Sequence, residues 1–315
     1  MEKNMQSNGI KRRDFIRAGA GLAAGALFIS FSGTKVFGAF NAANAKVSIP
    51  TVKLNNGVQM PMLGFGTNTL TGEVGERSVF DAISVGYRSI DTAHVYTNEE
   101  VVGAAIKRSG INRKELFVTS KLWVDFSGYE GTKKAFQTSI DKLGLDYLDL
   151  YLIHRPRGDV KGSWLAMEEL YKAGKIKAIG VSNFEPHQMD ELLTYAKIKP
   201  AVNQIETHVF FQEHVLYKEL NDKKVQMEAW SPFAAGRNGI FSNETLAAIG
   251  KKHNKSIAQV CLRWHYQRGV VAIPRSQNKA HMIENLDIFN FELDKKDMQT
   301  IATLDLNKTQ FPEWT

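Results

Sequence analysis

The chain has 315 residues, 43% hydrophobic and 23% charged, which is enough apolar sequence for a full core and excludes a disordered or fibrous protein. The formal charge of +7 is concentrated at the front, where residues 1–45 hold six Lys/Arg against two Asp/Glu; the surplus of about +3 left for the remainder is too small to imply a nucleic-acid partner. A single cysteine, Cys261, excludes both an intrachain disulfide and a cysteine-based metal site, and no metal is expected.

Residues 1–45 read as an export signal. Lys11-Arg12-Arg13-Asp14-Phe15-Ile16-Arg17 precedes a Gly/Ala-rich apolar run from Ala18 to Phe31, and Ala43-Asn44-Ala45 offers a cleavage site that leaves Lys46 as the mature N-terminus. Adjacent arginines before a moderately apolar run resemble a twin-arginine signal, so the twin-arginine export machinery is an expected partner and the periplasm the expected location. The run falls short of the ~20 residues that span a bilayer. Gly19-Ala20-Gly21-Leu22-Ala23-Ala24 imitates a dinucleotide-binding turn, but that turn needs a strand before it and a phosphate-facing helix after it, and here an arginine pair comes before and a cleavage site after.

Residues 46–315 then form one domain. Thr51 to Met60 predicts a β-hairpin turning at Asn56-Gly57, placed to close the bottom of a barrel. Strand-like and helix-like stretches alternate from there. The predicted strands are 62–67, 87–91, 116–122, 147–154, 176–182, 201–206, 225–230 and 270–274. Between and after them come helices over 73–85, from Asn98, over 132–143 and 163–172, from Pro186, over 214–220, 244–253 and 257–267, and over 279–286. Asn98 and Pro186 stand where helix starts favour them. Eight strand-then-helix units predict an α/β fold, the (β/α)₈ TIM barrel; an open doubly wound sheet would show fewer strands and a Gly-rich first turn.

Polar residues fall at or beyond the carboxyl ends of successive strands, the end where such barrels carry their chemistry. Asp91 and Tyr96 follow the second strand, Lys121 ends the third and His154 the fourth. An ammonium beside a phenol stabilises its phenolate and lowers its pKa, an aspartate holds the ammonium, and a neutral imidazole can orient a carbonyl. Such a site donates a proton but has neither nucleophile nor metal. It needs an external reductant.

The stretch Gly86-Tyr87-Arg88-Ser89-Ile90-Asp91-Thr92-Ala93-His94-Val95-Tyr96-Thr97-Asn98-Glu99-Glu100, with Ser120-Lys121-Leu122-Trp123, Leu152-Ile153-His154, Gly180-Val181-Ser182-Asn183-Phe184 and Ile273-Pro274-Arg275-Ser276, resembles the aldo-keto reductases, barrels that use NADPH. The resemblance runs from Val52 to Leu306. It implies Asp91, Tyr96, Lys121 and His154 as a catalytic tetrad with Tyr96 the general acid. It also implies cofactor contacts from Thr67, from Ser182, Asn183 and Gln204 at the carboxamide, and from Trp230 stacked on the nicotinamide. Ser231, Phe233 and Gly236 fall on the pyrophosphate loop, and Glu284 and Asn285 at the adenine.

Two departures stand out. Around the 2′-phosphate the chain has Arg275 and Ser276 but His281 where an arginine is frequent, which weakens the preference for NADPH and makes NADH usable. Arg155 occupies a position that is commonly Trp or Gln. Facing the pocket, it could bind a carboxylate; facing outward, it is a solvated charge; both directions are compatible with the sequence. Phe65, His94 and Trp123 resemble pocket-lining positions. The implied function is reduction of small aldehydes, ketones or keto-sugars by a monomer. The alternative is a non-catalytic, nicotinamide-cofactor-binding sensor or partner subunit on the same barrel.

Overall fold

A hairpin opens the described chain, which comprises residues 48–314 of the computed structural model. The expected export signal lies outside the described residues. Strands β1 (Thr51–Lys53) and β2 (Gln59–Pro61) pair antiparallel, with Gly57 at a φ of 91° in the turn, a conformation that glycine adopts without a Cβ penalty.

Eight parallel strands follow, in chain order: β3 (Phe65–Gly66), β4 (Ser89–Asp91), β5 (Phe117–Leu122), β6 (Leu148–Ile153), β7 (Ile176–Ser182), β8 (Val202–Glu206), β9 (Gln226–Trp230) and β10 (Val271–Ala272). The ring closes at a parallel bridge from Leu63 to Ala272, with the Gly64 N–H donating to the Ala272 carbonyl at 2.9 Å. Between them run helices α1 (Gly72–Val85), α2 (Glu99–Ser109), α3 (Tyr129–Leu143), α4 (Val160–Lys172), α5 (Pro186–Tyr195), α6 (His214–Asp222), α7 (Glu244–His253) and α8 (Ile257–Gln267), and α9 (Lys279–Leu286) follows the last strand. This is the (β/α)₈ barrel with the N-terminal hairpin that the alternation predicts. One further helix, α10 (Lys295–Ala302), was not anticipated; Asp294 caps it by accepting from the Asp297 N–H at 2.8 Å.

Strand parity divides the buried residues into two layers. Outward-facing side chains such as Ile90, Tyr151, Ile153, Ile179 and Val181 pack against the helices. Inward-facing Phe117, Leu150, Leu152, Ala178, Val202 and Val271 fill the lower barrel together with Leu54 and Met60 of the hairpin. The hairpin is fastened beneath them, as Asn55 donates to the Pro200 and Lys224 carbonyls and Asn56 to that of Lys177. With the bottom filled by hydrocarbon, the polar inward-facing residues are left at the strands' carboxyl ends.

Asn98 differs from its expected role. It occupies the N-cap position of α2 but makes no capping bond; its amide donates to the Thr67 and Leu70 carbonyls and accepts from the Thr92 hydroxyl, tying the first two βα loops together.

Candidate active site

At the centre of the upper barrel, Lys121 of β5 is fully buried, and its ammonium lies 2.6 Å from Asp91 Oδ1 at the end of β4. The same Nζ reaches the Thr92 carbonyl at 2.9 Å and the Tyr96 hydroxyl at 3.4 Å, so its three protons have three acceptors. Burial by itself would lower the lysine's pKa, but Asp91 and Tyr96 more than offset it and hold the ammonium above its ordinary value.

Tyr96 departs from the expectation. Burial raises its pKa, and Lys121 pulls it back only in part, so the group is a protonated phenol above its ordinary range and not a depressed one. A donor that must keep its proton until a carbonyl accepts it is consistent with that balance. His154, following β6, stands edge-on to Tyr96 with ring centroids 5.7 Å apart, and to Trp123 at 5.2 Å. Burial, then the charges of Lys121 and Arg155, hold its pKa well below the ordinary value, so the ring is neutral at physiological pH.

An acid that the sequence reading passed over joins this group. Gln204 of β8 divides its amide protons between Asp91 Oδ2 and Glu228 Oε2, both at 2.8 Å, and Glu228 of β9 is fully buried. Burial and the neighbouring Asp91 charge raise Glu228 from 4.5 to about 8. Its signal was parity: Glu228 stands two residues before Trp230, on the same face of its strand. Because the folded pKa lies above the unfolded one, ionising Glu228 opposes folding; the penalty is absent below about pH 4.5, grows between the two values and is complete above about pH 8. Glu228→Gln keeps the acceptor for Gln204 without the charge. Its Tm relative to the parent is expected to rise from pH 5 to pH 9, and a difference that stays constant over this range would show that Glu228 does not ionise there.

Above these residues opens a cleft of 460 Å³ whose walls include Thr67, Ser182, Asn183, Gln204, Trp230, Ser231, Phe233, Gly236 and Arg275, together with Asp91, Tyr96 and His154. One wall is prearranged by its own hydrogen bonds. Asn183, held at a φ of 61°, donates to the His154 carbonyl and the Ser182 hydroxyl, and its oxygen accepts from Trp230 Nε1 at 2.8 Å. With the amide protons of Asn183 and Gln204 spent inside the protein, what remains toward the cleft is acceptor capacity on their oxygens and on Ser182. That donor-poor wall fits the NH₂ of a primary carboxamide, as a nicotinamide carries.

Phe233, Phe241 and Arg275 also border a second recess, of 450 Å³, which gathers Ser276, His281, Glu284 and Asn285. Lys279, beside them in sequence, turns its ammonium to Asp81 at 3.1 Å. The loop between the recesses carries Ser231, Ala234, Ala235 and Asn238 at φ values of 47° to 53°, a concentration of left-handed backbone of the kind found at ligand-binding loops. The C-terminal tail clasps this loop: Arg237 pairs with Glu313, and Phe311 and Trp314 pack on Trp230 with centroids 5.1 and 5.4 Å away.

Residues 62–306 match the aldo/keto reductase family. The chain belongs to this family. A glyoxal reductase of Bacillus subtilis (strain 168) is 52% identical over 264 residues, which cover 83% of this chain and 95% of that protein. Methylglyoxal reductase DkgA of Escherichia coli (strain K12) is 41% identical over 84% of this chain and 97% of its own. A silkworm (Bombyx mori) aldo-keto reductase solved in complex with NADPH is 35% identical, with a TM-score of 0.80 over 84% of this chain and 90% of that one. The protein is therefore an oxidoreductase of the aldo-keto reductase type.

Two residues expected to line the reductase's substrate pocket do not. Phe65 pairs in register with Ile90 and shares its outward face, so it is buried against Tyr87 at a centroid distance of 5.6 Å; Gly66, in register with Asp91, takes the inward position. His94 turns away onto Phe126, with centroids 4.7 Å apart, and Val95 lines in its place a third recess, of 370 Å³, beside Tyr96 and His154. Trp123 does line that recess, and Arg155 faces into both it and the main cleft. Asn68, Arg237, Phe241, Phe311 and Trp314 also border the reductase's clefts and carry no local sequence signal of doing so.

Proposed function

We propose that the protein reduces small aldehydes, ketones or keto-sugars to alcohols, with NADPH as reductant and Tyr96 as general acid. The observation that carries this reading is the buried Asp91 and Lys121 pair set against the Tyr96 hydroxyl, with a neutral His154 across the same cleft. The names of the glyoxal and methylglyoxal reductases to which the chain is similar support short carbonyl compounds as substrates.

Ser182, Asn183, Gln204 and Trp230, which line the cleft, would hold a reduced nicotinamide, and that group would supply the hydride that the carbonyl carbon needs. As the C=O π pair moves onto oxygen, Tyr96 gives that oxygen its phenolic proton. The Lys121 ammonium stabilises the phenolate left behind, Asp91 fixes the ammonium, and a proton from water restores the phenol. The neutral His154 ring has one N–H to donate to the substrate oxygen and so orients it. Oxidation of NADPH by the mature chain across a panel of aldehydes and ketones tests the reading; a folded protein that binds NADPH but reduces none of them would refute it.

Thr67 belongs with the nicotinamide contacts, Ser231, Phe233 and Gly236 with the pyrophosphate, and Arg275, Ser276, His281, Glu284 and Asn285 with the adenosine end. There His281 stands where a guanidinium would give a permanent, planar contact to the 2′-phosphate, and Lys279 is engaged elsewhere. His281→Arg is expected to tighten NADPH roughly ten- to hundredfold and leave NADH nearly unchanged, the range of one charge-assisted contact. Fluorescence titration with both cofactors checks it, and an unchanged ratio of the two dissociation constants would remove His281 from cofactor choice.

We further propose that residues 1–45 direct twin-arginine export, a route that carries folded proteins and so allows the cofactor to be loaded first. Replacing Arg12 and Arg13 by Lys is expected to retain the full-length chain in the cytoplasm. Unaltered processing to a Lys46 N-terminus would rule this route out.

A further inference from the structure

Arg155 is half-buried at the mouth of the barrel, directly after His154. Its side chain borders the main cleft and also an adjoining recess of 370 Å³ that contains Tyr96, Trp123 and His154. The guanidinium is close enough to act on both Tyr96 and His154: its charge favours the phenolate of the one and disfavours the imidazolium of the other.

What sets Arg155 apart is that no described residue satisfies its guanidinium. The other arginines that are buried or half-buried among the described residues all have partners: Arg88 and Arg268 donate to backbone carbonyls, Arg113 meets Asp149, Arg237 meets Glu313, and Arg263 donates to Gln267. Arg155 makes no side-chain hydrogen bond or ion pair with any described residue. The two other charges at the recess do not neutralise it, since Arg157 is a second cation and the carboxylate of Glu313 is already taken by Arg237. A planar, partly desolvated guanidinium without an acceptor, facing the reacting groups, matches a planar carboxylate arriving from solution.

We propose that the preferred substrates are carbonyl compounds that carry a carboxylate, with Arg155 binding the acid group while Tyr96 and His154 receive the carbonyl oxygen. The inference rests on the reductase reading given above and narrows its substrate class. Arg155 is thereby a specificity-determining residue, acting on the part of the substrate that does not react.

The test uses acid and methyl-ester pairs, which differ in charge and by one methyl group, at increasing spacing between the two groups: pyruvate, succinic semialdehyde and 4-formylbenzoate, each against its ester. At one or more spacings, kcat/KM for the acid is expected to exceed that for the ester by about tenfold or more, chiefly through KM, and the excess to shrink with added salt. Arg155→Gln is expected to bring the two within about twofold of each other, and Arg155→Lys to keep part of the preference. Because each variant is compared with itself on two substrates, a loss of folded protein cancels from the ratio. Esters reduced as well as acids at every spacing, or a preference that survives Arg155→Gln, would overturn the inference while leaving the reductase reading intact. Reduction of none of the six compounds, or of any other carbonyl, would remove both. A parallel arm with glyceraldehyde 3-phosphate against glyceraldehyde separates carboxylate from phosphate recognition, and an Arg155-dependent preference confined to the phosphate would count against the carboxylate assignment.

Discussion

Tyr96→Phe is expected to lose turnover by about 10²- to 10⁴-fold, the range for removing a positioned general acid, and to bind NADPH with nearly the parent affinity. The phenol oxygen is the only heavy atom removed, and in the structure it accepts from Lys121 at 3.4 Å. In the proposed mechanism its proton is needed when charge develops on the substrate oxygen, so the loss falls on kcat and kcat/KM together and not on the cofactor's dissociation constant. The ring stays in place, keeping its edge-on contact with His154 and the cation–π contact with Lys121, whose Nζ is 4.9 Å from the ring centroid. Single-turnover reduction in a stopped-flow instrument separates the chemical step from binding. Near-parental rates in that experiment would exclude Tyr96 as the proton donor.

Lys121→Met is expected to remove activity as well, but with a second signature in stability. Lys121 and Asp91 are both buried, and deleting one member of such a pair leaves a charge in the barrel with too few partners, at a cost of about 3 to 5 kcal/mol. Gln204 still donates to Asp91 Oδ2, which limits the damage, while the Thr92 carbonyl loses its donor. The double replacement Lys121→Met with Asp91→Asn removes both charges and is expected to recover much of the lost stability and none of the turnover, because Tyr96 has then lost the ammonium that stabilises its phenolate. Denaturant unfolding of the three proteins beside their kcat values tests this. A double variant no more stable than Lys121→Met would mean that the pair does not act as a unit in the fold.

The opposite directions taken by Tyr96 and the pocket residues show where reading along the chain reaches its limit. Spacing places Lys121 beyond Tyr96 on the next strand, so their contact follows from topology alone. The phenol's acidity does not, because the barrel also buries it, and desolvation outweighs the ammonium. In the sequence, Phe65 and His94 resemble pocket-lining positions, and Arg155, directly after the Leu152-Ile153-His154 motif, is compatible with either direction. Packing separates them: Arg155 borders the cleft, Phe65 has the parity of Ile90 and joins the outer layer, and His94 finds Phe126.

By itself the sequence determined the eight strand-and-helix units, the hairpin, the strand ends that carry Asp91, Lys121 and His154, and the loop position of Tyr96. All of these depend on periodicities and turn residues that act within about ten neighbours along the chain. The tertiary structure alone decided that Glu228 lies within reach of Asp91 through Gln204, that the tail returns to clasp Arg237, that Leu63 meets Ala272 to close the ring, and that Arg155 is left without a partner among the described residues. Each of these joins, or fails to join, residues that are far apart in the chain or on different strands. Such contacts are set by how the sheet curls and which layer each face enters, and neither is written in the local pattern of residues.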